Sequence, residues 1–472
     1  MNTAPMLKRL TVKYLPFADA GSEGFPLSDI LRLSLFQISV GMATVMLLGT
    51  LNRVMIVELY VPATIVAAMI ALPVLVAPFR ALLGFRSDTH KSAIGWRRVP
   101  YMWFGTLWQF GGLAVMPFAL LVLGGDTLYD IPFDGELLAG LAFLMTGLGI
   151  SMTQTAGLAL ASDRASDATR PRVVALLYVM FLVGMGISSL VIGWLLRDFT
   201  PLKLIQVVQG AAVVTVLLNL VALWKQERVR PMSRAERAEP RPAFGDAWGD
   251  FLRGGQAGRL IVVVALGTLA FNMQDVLLEP YGGEILGLSV SATTLLTAAW
   301  ALGALVAFGM AARWLGQGRD HYRMAAKGLL SGVVAFSAVI FAAPLESAPL
   351  FFAGAAGIGF GGGLFAIATL TAAMTMPAKG LAGRGLALGA WGAAQATAAG
   401  VAIFAGGAIR DFVAATSLPD TLGPATGYSM VYHVEIALLF ATLAVLGPLV
   451  KLGTLSPPQE HRGAIGLADL PT

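Results

Sequence analysis

The ionisable residues with the most informative spacing are Asp275 and Glu279, in the stretch MQDVLLEPYGGE (273–284). The stretch follows RLIVVVALGTLAFN (259–272), which is almost entirely apolar after Arg259, and no Lys or Arg lies near the two acids. Acids four residues apart share one face of a helix and repel each other. Ionisable groups in such an apolar setting are costly, which makes them functional candidates once a partner can be named.

The composition shows which elements must position these acids. Hydrophobic residues make up 57% of the 472 residues and charged residues 12%, and the mean hydropathy is +0.75. This is too apolar for a soluble protein of this length and indicates a polytopic membrane protein. Cysteine is absent and the four histidines show no metal-ligand spacing, so disulfides, thiolate chemistry and a histidine metal cluster are not expected.

Apolar runs long enough to cross a bilayer predict an all-α membrane protein with twelve transmembrane helices. They lie near 31–51, 61–80, 99–123, 136–160, 173–196, 202–224, 259–279, 289–312, 325–344, 349–376, 384–408 and 430–450. Of the 32 Lys and Arg, 28 fall on one side of this topology, leaving Arg53, Arg197, Lys203 and Arg410 on the other. This bias predicts that both termini are cytoplasmic.

An internal repeat predicts two six-helix bundles with the major facilitator superfamily fold. The second run ends FRALLGFRSDTH (79–90) and the eighth ends ARWLGQGRDH (312–321), with the same order of Arg, Leu-Gly, Arg, Asp and His. The predicted parts are a cytoplasmic segment, 1–28, the first bundle, 29–224, a basic, Pro-rich cytoplasmic linker, 225–258, the second bundle, 259–451, and a cytoplasmic tail, 452–472.

In such a fold the first and seventh helices face each other across a central cavity, which suggests a partner for the two acids. We expect Arg53 to lie opposite Asp275 and Glu279 and to close the periplasmic side as a gate. Glu58 follows Arg53 by five residues, a poor spacing for a pair within one α-helix, so we expect it to face another neighbour. Two alternatives remain, a proton-coupling carboxylate pair and plain polarity at the membrane interface.

The loop GFRSDTHKSAIGWRR (84–98) resembles the cytoplasmic signature loop of the major facilitator superfamily. The positions that match are Gly84, Asp88, Arg97 and Arg98, although this chain has extra residues after Asp88. The resemblance implies a loop that holds the cytoplasmic side together. The alternative is an ordinary basic loop that follows the positive-inside bias.

Longer stretches resemble a narrow branch of that superfamily, the bacteriochlorophyll-delivery group of light-harvesting assembly proteins of the LhaA/PucC type. They are RLSLFQISVGMATVMLLGTLNRVMIVEL (32–59), QTAGLALASDRA (154–165), RPRVVALLYVM (170–180), MQDVLLEPYGGEILGLSVSATT (273–294) and GIGFGGGLFAIATLTAAM (357–374). The lead LKRLTVKYLPFADAG (7–21) favours the LhaA subgroup.

The resemblance implies a factor that assembles the light-harvesting 1 core antenna by binding or delivering bacteriochlorophyll, with or without a carotenoid. The implied partners are antenna polypeptides, the reaction centre, bacteriochlorophyll synthesis enzymes and membrane lipid, with no nucleic acid. The implied location is the photosynthetic inner membrane. An ordinary alternating-access transporter of another solute is the alternative, and neither function is enzymatic.

A bound bacteriochlorophyll needs a ligand for its magnesium, which accepts imidazole or amide oxygen. The candidate ligands within or bordering the apolar runs are Gln154, Asn272 and His433. For each, a contact with a neighbouring helix is the more common role. The glycine run GAAGIGFGGGLF (354–365) predicts either close approach of two helices, which is favoured, or a flat platform for pigment.

Overall fold

The structure is a computed structural model, and it describes residues 21–22, 24–75, 96, 98–125, 133–166, 169–227, 255–375 and 384–455. Three residues of the predicted signature loop, Gly84, Asp88 and Arg97, lie outside these ranges. The same is true of most of the predicted N-terminal segment, linker and tail.

Helices account for the regular structure of the described residues, which confirms the prediction of an all-α membrane protein. We number the membrane helices in chain order: α1 Leu27–Glu58, α2 Ala63–Leu75, α3 Val99–Leu123, α4 Asp134–Arg164, α5 Arg170–Leu195, α6 Pro201–Leu223, α7 Gly255–Glu284, α8 Val290–Gly316, α9 His321–Ala342, α10 Ala348–Thr375, α11 Arg384–Ala414 and α12 Thr426–Leu455. A short helix, Leu418–Leu422, precedes α12. Eleven of the described helices are long and apolar enough to span a bilayer, and α2 is described over 13 residues.

Helix α1 departs from regular α-helix where it approaches its carboxyl end. Its α-helical part, Leu35–Thr44, continues into two π-helical segments, Val45–Leu51 and Val54–Glu58. A π-helix closes its hydrogen bonds between residues five apart, so residues i and i+5 share a face. This local change sets the partners of the charged residues in α1.

The two halves of the chain, α1–α6 and α7–α12, meet along two main helix pairs, α2 with α11 and α5 with α8. The first and seventh helices also touch, as the sequence predicts, because the Asn52 side-chain amide donates to the carbonyl oxygen of Val276 at 2.9 Å. The major facilitator fold is thus present, and its central helices line the space between the halves.

Glycines bring α8 and α10 into backbone contact, which confirms the favoured interpretation of the glycine run. A Cβ placed on Gly303 would lie 1.9 Å from the carbonyl oxygen of Ala356, and one on Gly359 would lie 2.0 Å from that of Trp300. Real Cβ atoms do not approach so closely, so these positions require glycine. Gly362 and Gly363 instead line a cavity described below.

Candidate functional site

Helix α7 is broken at the acids that the sequence analysis singled out. The α-helix Gly255–Asn272 ends in a 3-10 turn, Met273–Val276, and a short helix, Leu278–Glu284, follows. Such a turn changes the hydrogen-bond register, so some backbone N–H groups need other acceptors. The backbone N–H of Gln274 finds one in Glu435 of α12, at 2.7 Å.

The break gives the two acids of α7 separate partners. The carboxylate of Asp275 accepts from Asn272 Nδ2 at 2.8 Å and from Gln274 Nε2 at 2.5 Å. The carboxylate of Glu279 accepts from the Thr297 hydroxyl of α8 at 2.6 Å. The two acids therefore have separate hydrogen-bond donors and do not share an arginine as an ion-pair partner.

The predicted pairing of Arg53 is wrong for Asp275, whereas Glu279 lies near enough to Arg53 for electrostatic attraction but forms no ion pair with it. Arg53 is 5% exposed, and its guanidinium forms an ion pair with Glu58 and donates to the carbonyl oxygen of Leu288 at 3.2 Å. In the part of the chain that the structure describes, no ion pair joins Arg53 to either acid of α7. The expectation that Glu58 faces another neighbour is also wrong, because the π-helical turn places residues five apart on one face.

The halves are fastened to each other at one end of the molecule, which we call the Arg53 end. It comprises the carboxyl ends of α1, α5, α7 and α11 and the amino ends of α2, α8 and α12. Among the described residues, five pairs form hydrogen bonds between the halves there: Thr50 with Thr294, Asn52 with Val276, Arg53 with Leu288, Thr64 with Asp411, and Ser291 with Gly193. A set of polar contacts across the halves, and not one ion pair, therefore closes this end.

The Thr64–Asp411 contact provides a test of this closure. Asp411 Oδ2 accepts from both the backbone nitrogen and the hydroxyl of Thr64, at 2.6 and 2.7 Å. Because the chain has no cysteine, a single cysteine replacing the buried Val290 of α8 can report opening. We expect Asp411→Ala to raise the rate of labelling of that cysteine by a water-soluble thiol reagent by at least about tenfold, since charge-assisted hydrogen bonds each contribute about 1.5–3 kcal/mol.

The matched control for this experiment is Asp420→Ala, which removes an exposed acid from the short helix that precedes α12. Labelling in the control should equal that of the parent protein. Equal labelling in both aspartate variants would mean that the Thr64–Asp411 contact does not hold the halves together.

A cavity of about 230 Å³ lies midway along the helices, where α5, α7, α8, α10 and α11 converge. Its wall is mostly aromatic, aliphatic and glycine: Tyr178, Phe181, Leu182, Gly267, Phe271, Trp300, Ala304, Phe308, Ile358, Gly362, Gly363, Phe365 and Ala366. Its polar groups are few: Thr268, Asn272, Asp275 and Gln395. Such a wall is suited to an apolar, partly aromatic ligand oriented by a small number of polar contacts.

The structure places the three candidate pigment ligands in different environments. Asn272 lines the cavity, and its side-chain nitrogen donates to Asp275. Gln154 donates to Gln37 of α1 at 3.4 Å, a contact between neighbouring helices. His433 is exposed on the outer surface of α12, and its Nδ1 lies 2.6 Å from the carbonyl oxygen of Ser429. The three residues thus do not form one site.

Sequence reasoning missed Glu435, which is fully buried in α12. It lies two residues after His433, and a step of two residues turns to the opposite side of a helix. Tyr428 and Tyr432, seven and three residues before it, are buried on its own face. The signal was present in YSMVYHVEIALLF (428–440), since an acid within an apolar helix is a functional candidate by itself.

Arg98, the described member of the predicted signature loop, joins three segments of the first half. Its Nε lies 3.0 Å from Asp163 Oδ2 at the end of α4. The backbone nitrogens of Arg98 and Val99 donate to the Glu227 carboxylate after α6, at 3.0–3.2 Å. Arg98 therefore fixes the amino end of α3 within one half.

Comparison with solved structures shows the fold. A bacterial homologue of the human lysosomal transporter Spinster, in an inward-facing and unoccupied conformation, superposes with a TM-score of 0.65 and 13% sequence identity. The match covers 93% of this chain and 100% of the transporter chain. At this identity the likeness concerns the fold and not the substrate.

Comparison with curated proteins shows much closer relatives. A Rhodobacter capsulatus protein described as "Uncharacterized protein in puhA-bchM intergenic region" is 61% identical over 99% of both chains. Protein PucC of Rhodovulum sulfidophilum is 56% identical over 85% of this chain and 89% of its own. A "Bacteriochlorophyll synthase 44.5 kDa chain" of Rhodobacter capsulatus is 29% identical over 92% of this chain and 98% of its own.

The family model described as "PUCC protein" matches residues 50–454, which include most of both halves and every wall residue of the cavity. The fold, the extent of this match and the identity to its relatives agree: the chain is a multi-pass membrane protein that belongs to the PUCC protein family.

Proposed function

We propose that this protein is an assembly factor for the light-harvesting 1 core antenna, which holds bacteriochlorophyll and passes it to antenna polypeptides around the reaction centre. The observation that carries the proposal is the apolar, aromatic cavity at the centre of a PUCC-family protein. The name of the relative at 29% identity, a bacteriochlorophyll synthase chain, supports the choice of pigment.

The residues of the cavity fit the chemistry of this cargo. Aromatic rings such as Trp300 and Phe308 can stack against a flat conjugated macrocycle. Magnesium is a hard ion that accepts amide oxygens, and Asn272 supplies such an oxygen at the cavity wall. The sparse polar lining disfavours a strongly hydrated solute, whose hydrogen bonds with water would be lost on entry.

The cavity is too small to hold a tetrapyrrole in its present form. Its 230 Å³ is below the roughly 300–1,000 Å³ of ordinary ligand pockets. A tetrapyrrole therefore requires the cavity to widen. We expect α5 and α8 to separate for this, since both helices contribute to the cavity wall and their contact joins the two halves. In this proposal the Arg53 end faces the periplasm and cargo enters from the membrane or the cytoplasmic side.

Substitution of a cavity tryptophan tests the proposal. We expect Trp300→Ala to weaken bacteriochlorophyll binding by about tenfold, because it removes one stacking surface together with its buried apolar area. The measurement is the absorption spectrum of the detergent-solubilised protein during titration with pigment, which gives a Kd.

The matched control is Trp194→Ala on α5, whose side chain is exposed on the outside of the bundle. It should bind pigment as the unmodified protein does. If the two variants bind equally, the cavity is not the pigment site, and if the unmodified protein binds no bacteriochlorophyll, the proposal fails.

The second candidate function is alternating-access transport of another solute. The hydrogen bonds that fasten the halves at the Arg53 end favour it, because a closed end is one of the states that such a transporter visits. Gentle purification from a photosynthetic membrane separates the two functions. Co-purifying bacteriochlorophyll and antenna polypeptides support assembly, whereas a colourless protein that moves a soluble substrate supports transport.

A further inference from the structure

Glu435, the buried acid of α12, lies in the interior of the protein but does not line the cavity. Glu435 lies nine residues after Thr426, the first residue of α12, which places it about 14 Å along the helix at 1.5 Å per residue. None of its surface is exposed. Its Oε1 accepts from the backbone N–H of Gln274 at 2.7 Å, and its Oε2 has no hydrogen-bond partner.

A second acid lies beside it. Gln274 contacts both acids, since its backbone N–H donates to Glu435 and its side-chain amide donates to Asp275 at 2.5 Å. The side-chain oxygen of Gln274 is buried and has no hydrogen-bond partner. Two carboxyl groups therefore contact one residue whose own amide oxygen is unsatisfied, and all three groups accept hydrogen bonds when the acids are ionised.

No described cation neutralises this pair. Helix α12 packs against α7, α9 and α11. The titratable and charged residues on these helices and on α12 itself whose side chains the structure describes are Arg259, Asp275, Glu279, Tyr281, Glu284, His321, Tyr322, Arg323, Lys327, Arg410, Asp411, Tyr428, Tyr432 and His433. Arg410 of α11 forms ion pairs with Glu284 and Asp411 and donates a hydrogen bond to the Tyr428 hydroxyl. Among described residues, neither Glu435 nor Asp275 belongs to an ion pair.

Two adjacent buried carboxylates without a cation are unfavourable for two reasons. Each unpaired charge loses several kcal/mol of hydration, and like charges at short range repel, so that one of the two groups keeps its proton. A proton on Glu435 Oε2 removes one charge. It also converts an acceptor without a partner into a donor, on a residue that already contacts Gln274.

We propose that Glu435 is a proton-binding residue, which is protonated in the resting protein and sits where α12 meets the break in α7. The break carries Asp275, and Asp275 and Asn272 line the cavity. Binding or release of this proton therefore changes the charge one residue away from Asp275 of the cavity wall, on the group that accepts the Gln274 N–H at the break. This inference concerns the protein without cargo and does not depend on the proposed function.

The infrared spectrum of the purified, cargo-free protein tests the proposal, because a protonated carboxylic acid has a carbonyl stretching band that a carboxylate lacks. At neutral pH we expect the unmodified protein to show such a band, with a component that is missing in Glu435→Gln. Glutamine has nearly the size of a protonated glutamate and can accept the same hydrogen bond, so the variant should fold. The exposed Glu346→Gln is the matched control and should retain the band.

A second variant identifies the acid that holds the proton and keeps the test valid if Glu435→Gln fails to fold. Asp275→Asn should retain the band, since Glu435 remains buried. Loss of the band in Asp275→Asn but not in Glu435→Gln would place the proton on Asp275 and overturn the proposal. Absence of the band from the unmodified protein would also overturn the proposal. A band that appears only after sodium is replaced by choline would overturn it as well, because the site would then bind a metal cation.

Discussion

Alanine at Gly303 is expected to destabilise the protein by at least about 3 kcal/mol. The added Cβ would lie 1.9 Å from the carbonyl oxygen of Ala356 and 3.0 Å from the nitrogen of Phe360, both of which are backbone atoms of α10. A backbone cannot rotate away as a side chain can, so α8 and α10 must separate and lose packing along their contact. The free energy of unfolding in mixed micelles of denaturing and mild detergent measures the effect.

Gly309→Ala is the matched control, because it makes the same chemical change on the same helix. No heavy atom lies within 4 Å of a Cβ at Gly309, and alanine has a higher helix propensity than glycine by about 1 kcal/mol. The control should therefore be neutral or slightly stabilising. Equal destabilisation by the two substitutions would mean that close contact between α8 and α10 does not limit stability.

The second large effect is expected at Arg53. Arg53→Ala removes the ion pair with Glu58 and the hydrogen bond to the carbonyl oxygen of Leu288, and it leaves a gap beside Gly283. We expect a loss of about 2 kcal/mol in the free energy of unfolding, since breaking a hydrogen bond to a buried charged group costs about 1.5–3 kcal/mol and the partner Glu58 is partly exposed.

Double-mutant cycles identify the partner of Arg53. The cycle of Arg53→Ala with Glu58→Ala should give a coupling energy of about 1 kcal/mol, because the two side chains touch. The cycle of Arg53→Ala with Asp275→Ala should be additive within about 0.5 kcal/mol. Coupling of Arg53 to Asp275 but not to Glu58 would restore the gate that the sequence predicts and contradict the geometry of α1.

His433 and Glu435 show which part of the site could be predicted from the sequence and which could not. Histidine is a familiar pigment ligand, and its position near the start of an apolar run made it a candidate. The structure places His433 outside and Glu435 inside the bundle. When a helix is apolar on all sides, its sequence does not indicate which face is buried, so the orientation of α12 follows from its contacts with α7, α9 and α11.

The amino-acid sequence by itself determined the membrane class, the approximate position of the spans and the family. Each of these follows from local composition or from stretches that resemble known family members. None of the three requires knowledge of which residues are in contact. The glycine run also predicted a close helix contact, since the absence of a side chain is a local property.

Only the tertiary structure decided the partners of the charged residues. The π-helical turn of α1 turns Arg53 towards Glu58, and the break of α7 gives Asp275 and Glu279 separate donors. At the break of α7 a neighbouring helix supplies the acceptor for a displaced backbone group, as Glu435 does for Gln274. Predictions that assumed regular helices therefore placed the right residues near one another but assigned them the wrong partners.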